Sequence, residues 1–138
     1  MKSSTDIYRT KINKLSGSNF KEVEKQAKKI FRSIKTKRTP YLRSKYFRGE
    51  KVFLNIFWRH LYDKHEKDRT RRLKFYECAF DLISNNSNNP TTKDNPNKPE
   101  EILYRFLGVT KSNEYFRVQI KENKRTKRKD LISIIPDK

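Results

Sequence analysis

The chain has a single cysteine, Cys78, which excludes an internal disulfide and any cysteine-based zinc site. With three glycines in all it has no Gly-rich phosphate loop, and neither a GxSxG elbow nor an HExxH helix occurs. The two histidines, His60 and His65, stand five residues apart, about 140° around a helix, so they are badly placed to share one ion. Neither a metal nor a cofactor is expected. The opening stretch, MKSSTDIYRTKINK, carries cations with no apolar run behind them, unlike a secretory signal, and no later run is long enough for a bilayer. The expectation is a soluble, cytoplasmic protein with no membrane partner.

Acidic residues are the other scarcity. Against 16 Asp and Glu stand 35 Lys and Arg, a net charge of +19 on 138 residues. A surplus of that size opposes compaction, and a polyanion held through phosphate contacts is the usual reason to carry it. A compositional bias toward lysine would tend to raise Glu as well, and here cations outnumber acids about two to one. The cations also alternate with aromatic or aliphatic residues over Lys35 to Lys51, Arg59 to Lys74 and Lys121 to Lys129, which reads as a folded basic surface. Nucleic acid is the expected partner, RNA ahead of DNA.

Apolar residues make up only 33% of the chain, but nine Phe, seven Tyr and one Trp supply large side chains for one economical core. From Asn19, with Glu22 as capping-box partner, Phe20, Val23, Ala27, Ile30, Phe31 and Ile34 recur at helical spacing and predict a helix to about Lys35. Pro40 discourages helix at Thr39, and Tyr41 to Phe47 reads as extended or irregular, closing at Arg48-Gly49. Val52, Phe53, Ile56, Phe57, His60 and Leu61 form the stripe of a second helix. Leu73, Tyr76, Ala79, Phe80 and Ile83 form that of a third, capped by Asp68.

Ser84 to Glu100 holds three prolines and no apolar residue, the composition of a mobile loop. Beyond it the period falls to two around Ile102, Tyr104 and Phe106, then Phe116, Val118 and Ile120, then Ile132 and Ile134, with hairpin connections at 110–114 and 123–130. The predicted fold is α+β: three N-terminal amphipathic helices followed by an antiparallel meander of three or four strands. Within a single domain spanning 1–138, residues 1–18 read as a flexible arm, 19–84 as the helical half, 85–100 as the loop and 101–136 as the sheet.

The remaining chemistry suits metal-free RNA cleavage, in which a base takes the 2′-OH proton, cations stabilise the phosphorane and an acid protonates the 5′-oxygen. Arg105, Arg117 and Lys121 occupy alternate positions on neighbouring predicted strands, either as a phosphate clamp or as ordinary polar positions of a half-solvated sheet. His60 lies on an apolar stripe, where a histidine is either a satisfied core residue or a catalyst, whereas His65 reads as a surface residue. Ser133 interrupts an apolar strand and either bonds locally or faces a substrate. Arg43, Arg48, Arg117, Lys124, Arg125, Lys127 and Arg128 are the expected backbone-gripping cations. In a purely binding protein, Tyr104, Tyr115 and Phe116 would be available for stacking on bases.

The segment RFLGVTKSNEYFRVQIKENKRTKRKDLISIIP, Arg105 to Pro136, resembles the C-terminal sheet of the barnase, EndoU, colicin and RelE class of ribonucleases, particularly versions on phages and mobile elements. The likeness rests on R-F-x-G-x-T, F-x-V-x-I-K-E and L-x-S-x-x-P, about a quarter of the chain, with YLRSKYF at Tyr41 to Phe47 similar to the preceding part of that pattern. The resemblance implies an active face bearing Arg105, Lys121 and Ser133, with Lys45 or His60 brought in from the helical half. It also implies a toxin or mobile-element effector, with an acidic antitoxin or immunity protein as a further partner. The chain departs from the better-known members in having no His on the sheet. The nearest carboxylate, Glu122, points opposite to Lys121 by alternation, so the resemblance supplies no general base.

Overall fold

The computed structural model describes residues 7–34 and 38–137. Among them, four helices and seven strands follow in the order β1 (Tyr8–Arg9), α1 (Phe20–Arg32), β2 (Tyr41–Ser44), β3 (Glu50–Phe53), α2 (Asn55–Tyr62), α3 (Glu66–Leu73), α4 (Tyr76–Asn85), β4 (Thr91–Asp94), β5 (Glu101–Val109), β6 (Tyr115–Asn123) and β7 (Lys129–Pro136). The fold is α+β, and β5, β6 and β7 form the antiparallel meander that the two-residue period indicates. The sheet continues past it in the order β1-β5-β6-β7-β3-β2, with β4 also on β5. The β1–β5 and β3–β7 pairings are parallel, so the sheet is mixed.

The first helix starts where its cap places it. Asn19 Oδ1 accepts the Glu22 amide at 3.0 Å, and Glu22 Oε1 reaches back to the Ser18 amide at 2.8 Å. Phe20, Val23 and Ala27 face the core. The helix ends at Arg32, and its expected limit at Lys35 lies outside the described residues.

Four expectations need correction. Val52 and Phe53 belong to strand β3 rather than to a helix: Arg48 (φ 59°) and Gly49 (φ 87°) turn the chain back so that Val52 pairs with Leu42 and Lys129, and helix begins only at Asn55. The single third helix is two, broken at Lys74-Phe75. The Lys74 carbonyl accepts the Leu15 amide at 2.7 Å, while Phe75 turns inward to stack on Phe116 at 5.2 Å. Asp68 caps nothing; its carboxylate holds Arg71 and Arg72 at 2.9 and 3.0 Å. The expected loop contains β4, whose exposed residues pair with Ile102 to Arg105 on main-chain hydrogen bonds that composition does not advertise.

The expected N-terminal arm is likewise part of the fold from Tyr8 onward; residues 1–6 lie outside the described region. Tyr8 and Arg9 pair with Gly108 and Val109, the Tyr8 hydroxyl donates to Asp81 at 2.8 Å, and Leu15 joins the core.

One face of the sheet, presenting Val52, Phe106, Phe116, Val118, Ile120, Leu131 and Ile134, is buried against the helices. Each such large side chain contributes about 1.5–3 kcal/mol. Opposite residues in register share the other face: Leu103 with Lys121, Arg105 with Gln119, and Gln119 with Ser133.

One irregularity decides what Ser133 does. Gln119 pairs with Ser133 but Ile120 pairs with Leu131, leaving Ile132 as the extra residue of a β-bulge. Strict alternation would put Ser133 on the buried face with Leu131, and the bulge turns it to the opposite one. Beyond Asp130 the edge of β7 is taken by helix rather than strand. There α2 packs, and Arg72 of α3 donates to the Ile134 carbonyl at 3.1 Å.

Candidate active site

A cleft of about 400 Å³ opens between α2, the start of β5 and the outward face of β6 and β7. Its floor is Leu103, Gln119, Lys121 and Ser133, and on one side α2 supplies His60 and the turn after it Lys64. Asn95, Lys98 and Glu101 close the other side, and Arg72 enters from α3. Four cations, Lys64, Arg72, Lys98 and Lys121, thus face one carboxylate. Such a site attracts an anion.

Three side chains expected at the catalytic centre, His60, Lys121 and Ser133, meet in this cleft. His60 is exposed although its helix neighbours Phe57, Trp58 and Leu61 are buried, so it is not a core histidine. Its pKa is pushed below the ordinary histidine value, first by desolvation and then by the charges of Lys121, Lys64 and Arg59. Ser133 faces the cleft and does not bond locally: its hydroxyl accepts from Arg72 Nη1 of α3, 61 positions away, at 2.8 Å. Asp68 orients that guanidinium through Nε. Burial works against the Asp68 charge, but the hydrogen bonds and charges of Arg72 and Arg71 outweigh it and hold the carboxyl below its usual range.

Arg105 stands at the rim rather than in the cleft, its Nε and Nη2 donating to Gln119 Oε1 at 3.0 and 2.6 Å. Lys45 is exposed in the turn after β2 and does not line the cleft. Among the expected backbone-gripping cations, Arg117 pairs with Asp137 and Lys124 lies 3.5 Å from Asp94. Arg125, Lys127 and Arg128 are exposed in the β6–β7 turn. Arg43 lies on the β2–β3 hairpin, its guanidinium 5.5 Å from the Tyr41 ring centre, whereas Arg48 borders a separate hollow with Tyr46 and Glu122. Phe116 is fully buried and cannot stack on a base, while Tyr104 is half-buried, its hydroxyl donating to Glu122. Tyr115 alone of that trio is exposed.

Glu122 points away from Lys121 as alternation requires. It pairs with Lys129 at 3.6 Å and accepts from the Tyr104 hydroxyl at 2.6 Å. The carboxylate of the cleft is Glu101, whose Oε2 lies 3.5 Å from Lys121 Nζ and whose Oε1 accepts from Asn95 at 3.3 Å. The sequence held a signal for it: stepping back by twos from Arg105 through Leu103 reaches Glu101 on the same face. Arg72 left a weaker trace, since nothing in a helical pattern tells which cation will cross to a strand.

The fold and cleft together define an α+β protein with a cation-lined, solvent-open site built on a mixed sheet. No protein-family model, curated protein or solved structure matches the chain. Among the described residues, no helix is long and apolar enough to cross a membrane.

Proposed function

We propose that the protein is a metal-independent ribonuclease that cleaves RNA by attack of the 2′-OH on the adjacent phosphate. One observation carries the reading: His60, Lys121 and Ser133, drawn from α2, β6 and β7, line one cleft with Arg72 and the carboxylate of Glu101. These groups supply every role the reaction needs. Lys121 and Arg72 stabilise the charge of the phosphorane, and Ser133 holds Arg72 in place.

Two groups move protons. In the free protein the surrounding cations disfavour the imidazolium form of His60. A phosphate entering the cleft reverses that balance, because its negative charge beside the ring favours the charged form. His60 then donates a proton to the departing 5′-oxygen, while Glu101 accepts the proton of the attacking 2′-OH. The bond from phosphorus to the 5′-oxygen breaks as that to the 2′-oxygen forms, leaving a 2′,3′-cyclic phosphate and a 5′-hydroxyl. The same reading makes the protein a toxin or mobile-element effector, with an acidic antitoxin as the partner that neutralises its charge.

The test is purified protein with end-labelled RNA in EDTA. Products ending in 2′,3′-cyclic phosphate are expected, and none from a substrate that is 2′-deoxy at the cut position. Lys121→Ala and Arg72→Ala each lower cleavage by ~10² or more, the usual effect of losing one donor to transition-state charge, while binding falls far less. Cleavage of the deoxy substrate, or a strict metal requirement, refutes the assignment. Tight binding without cleavage leaves a nucleic-acid-binding module.

A further inference from the structure

The face that carries Lys121 extends beyond the cleft. In register, Lys121 lies opposite Asp130, Asp130 opposite Phe53, and Phe53 opposite Tyr41, a row crossing β6, β7, β3 and β2. At the spacing of adjacent strands, Phe53 and Tyr41 stand about 10 and about 14 Å from Lys121. The two rings meet edge to face at 5.9 Å, with Arg38, Lys51 and Arg128 around them in a hollow of about 490 Å³. Among the described residues, no carboxylate lines that hollow. The one acid of the row, Asp130, is buried and ion-paired to Arg128 at 3.3 Å.

We propose that the Tyr41–Phe53 pair is a stacking platform for bases of a single-stranded RNA whose scissile phosphate lies in the cleft. The inference rests on the ribonuclease reading for the strand's direction, but not for the platform's ligand. Cations already lie over both rings: Lys51 Nζ is 4.8 Å from the Tyr41 centre, and the Arg128 guanidinium is 4.1 Å from that of Phe53. Stacking of a base on an aromatic ring outweighs a cation contact of that kind at an exposed site. A base therefore displaces Lys51 from the Tyr41 ring, and the freed ammonium meets the phosphate that follows. An acidic protein would use the cations but not the ring faces, so the aromatic pair favours nucleic acid.

The probe is a fluorescent 2′-O-methyl oligouridine of about twelve nucleotides, within the span such surfaces grip. It cannot be cut by 2′-OH attack. Tyr41→Ala weakens its binding about 5- to 50-fold, Tyr41→Phe retains it, and Lys51→Glu, a change at an exposed side chain, weakens it and flattens the salt dependence. For cleavable RNA, Tyr41→Ala lowers kcat/KM on a substrate of that length but not on a dinucleotide, which occupies the cleft alone. Equal binding by wild type and Tyr41→Ala, or an equal loss of poly-glutamate binding in Tyr41→Ala, overturns the platform. Uncut RNA with every protein sinks the ribonuclease reading instead and leaves the binding result to decide the platform.

Discussion

Arg72 and Ser133 join α3 to β7 through a 2.8 Å hydrogen bond, and the same Nη1 reaches the Ile134 carbonyl at 3.1 Å. One guanidinium thereby closes the part of the β7 edge that has no strand neighbour and presents its charge to the cleft. Ser133→Ala should leave the carbonyl bond and the Asp68 pair intact. It is expected to lower cleavage about 10-fold with less than about 1 kcal/mol lost on urea unfolding, the scale of one net hydrogen bond. A loss of stability much larger than that would make the serine structural first.

His60 gives a prediction in pH. Because its folded pKa lies below the ordinary value of about 6.5, the unfolded chain binds the proton first as pH falls. Its contribution therefore makes stability decline as pH drops from about 6.5 through the folded pKa, and above 6.5 it adds nothing. Titration of the ring protons by NMR should show the depressed midpoint, and Lys121→Gln should move it up. Adding a nucleoside 3′-phosphate should also raise it, so the alkaline limb of kcat lies above that of kcat/KM. A midpoint indifferent to both changes would separate His60 from the cleft's charge.

Lys129 is almost fully buried on the opposite face, pairing with Glu50 and Glu122, its ammonium 4.9 Å from the centre of the Phe47 ring. Removing the cation strands the buried Glu122 carboxylate. Lys129→Ala is expected to cost about 3–5 kcal/mol, the typical result of breaking a buried pair from one side. Glu122→Gln should cost less, and equilibrium urea unfolding of both variants checks the order.

Gly108 sits across from Phe116, and a Cβ there would lie 2.6 Å from the Phe116 ring and 3.0 Å from a Leu82 methyl. Gly108→Ala forces β5, β6 and α4 apart. It is expected to cost about 1–3 kcal/mol, measured as a lower urea midpoint with an unchanged m-value.

The meander was legible because β6 obeys a strict two-residue alternation, and the first helix because its cap and apolar spacing agree. Legibility failed where a distant main-chain partner overrides the local pattern. Val52 and Phe53 fit a helical stripe, yet β2 and β7 offer ladder bonds on both sides. The Lys74 carbonyl is claimed by Leu15, 59 positions earlier, which no helical window contains. At the cleft, Lys121 was readable from its strand, and Ser133 lies opposite Ile134 as the alternation of Ile132 and Ile134 has it, but the bulge at Ile132 buries Leu131 in the place that alternation gave to Ile132. Glu101 was hidden by its place beside a proline-rich tract that looked featureless. That tract also lends Asn95 and Lys98 to the cleft, so shortening it is expected to reduce activity as well as to bare the edge of β5.

The two parallel pairings join segments made far apart in time: Tyr8 meets Gly108, and Val52 meets Lys129. On a translating ribosome, β3 waits roughly 4 to 17 s for β7 at usual elongation rates of about 5–20 residues per second. Until then β2 and β3 have no strand to join them to β5 and β6, and loop closure over such separations is slow. The cleft, whose floor needs Ser133, therefore does not exist until β7 has been made and has joined the sheet.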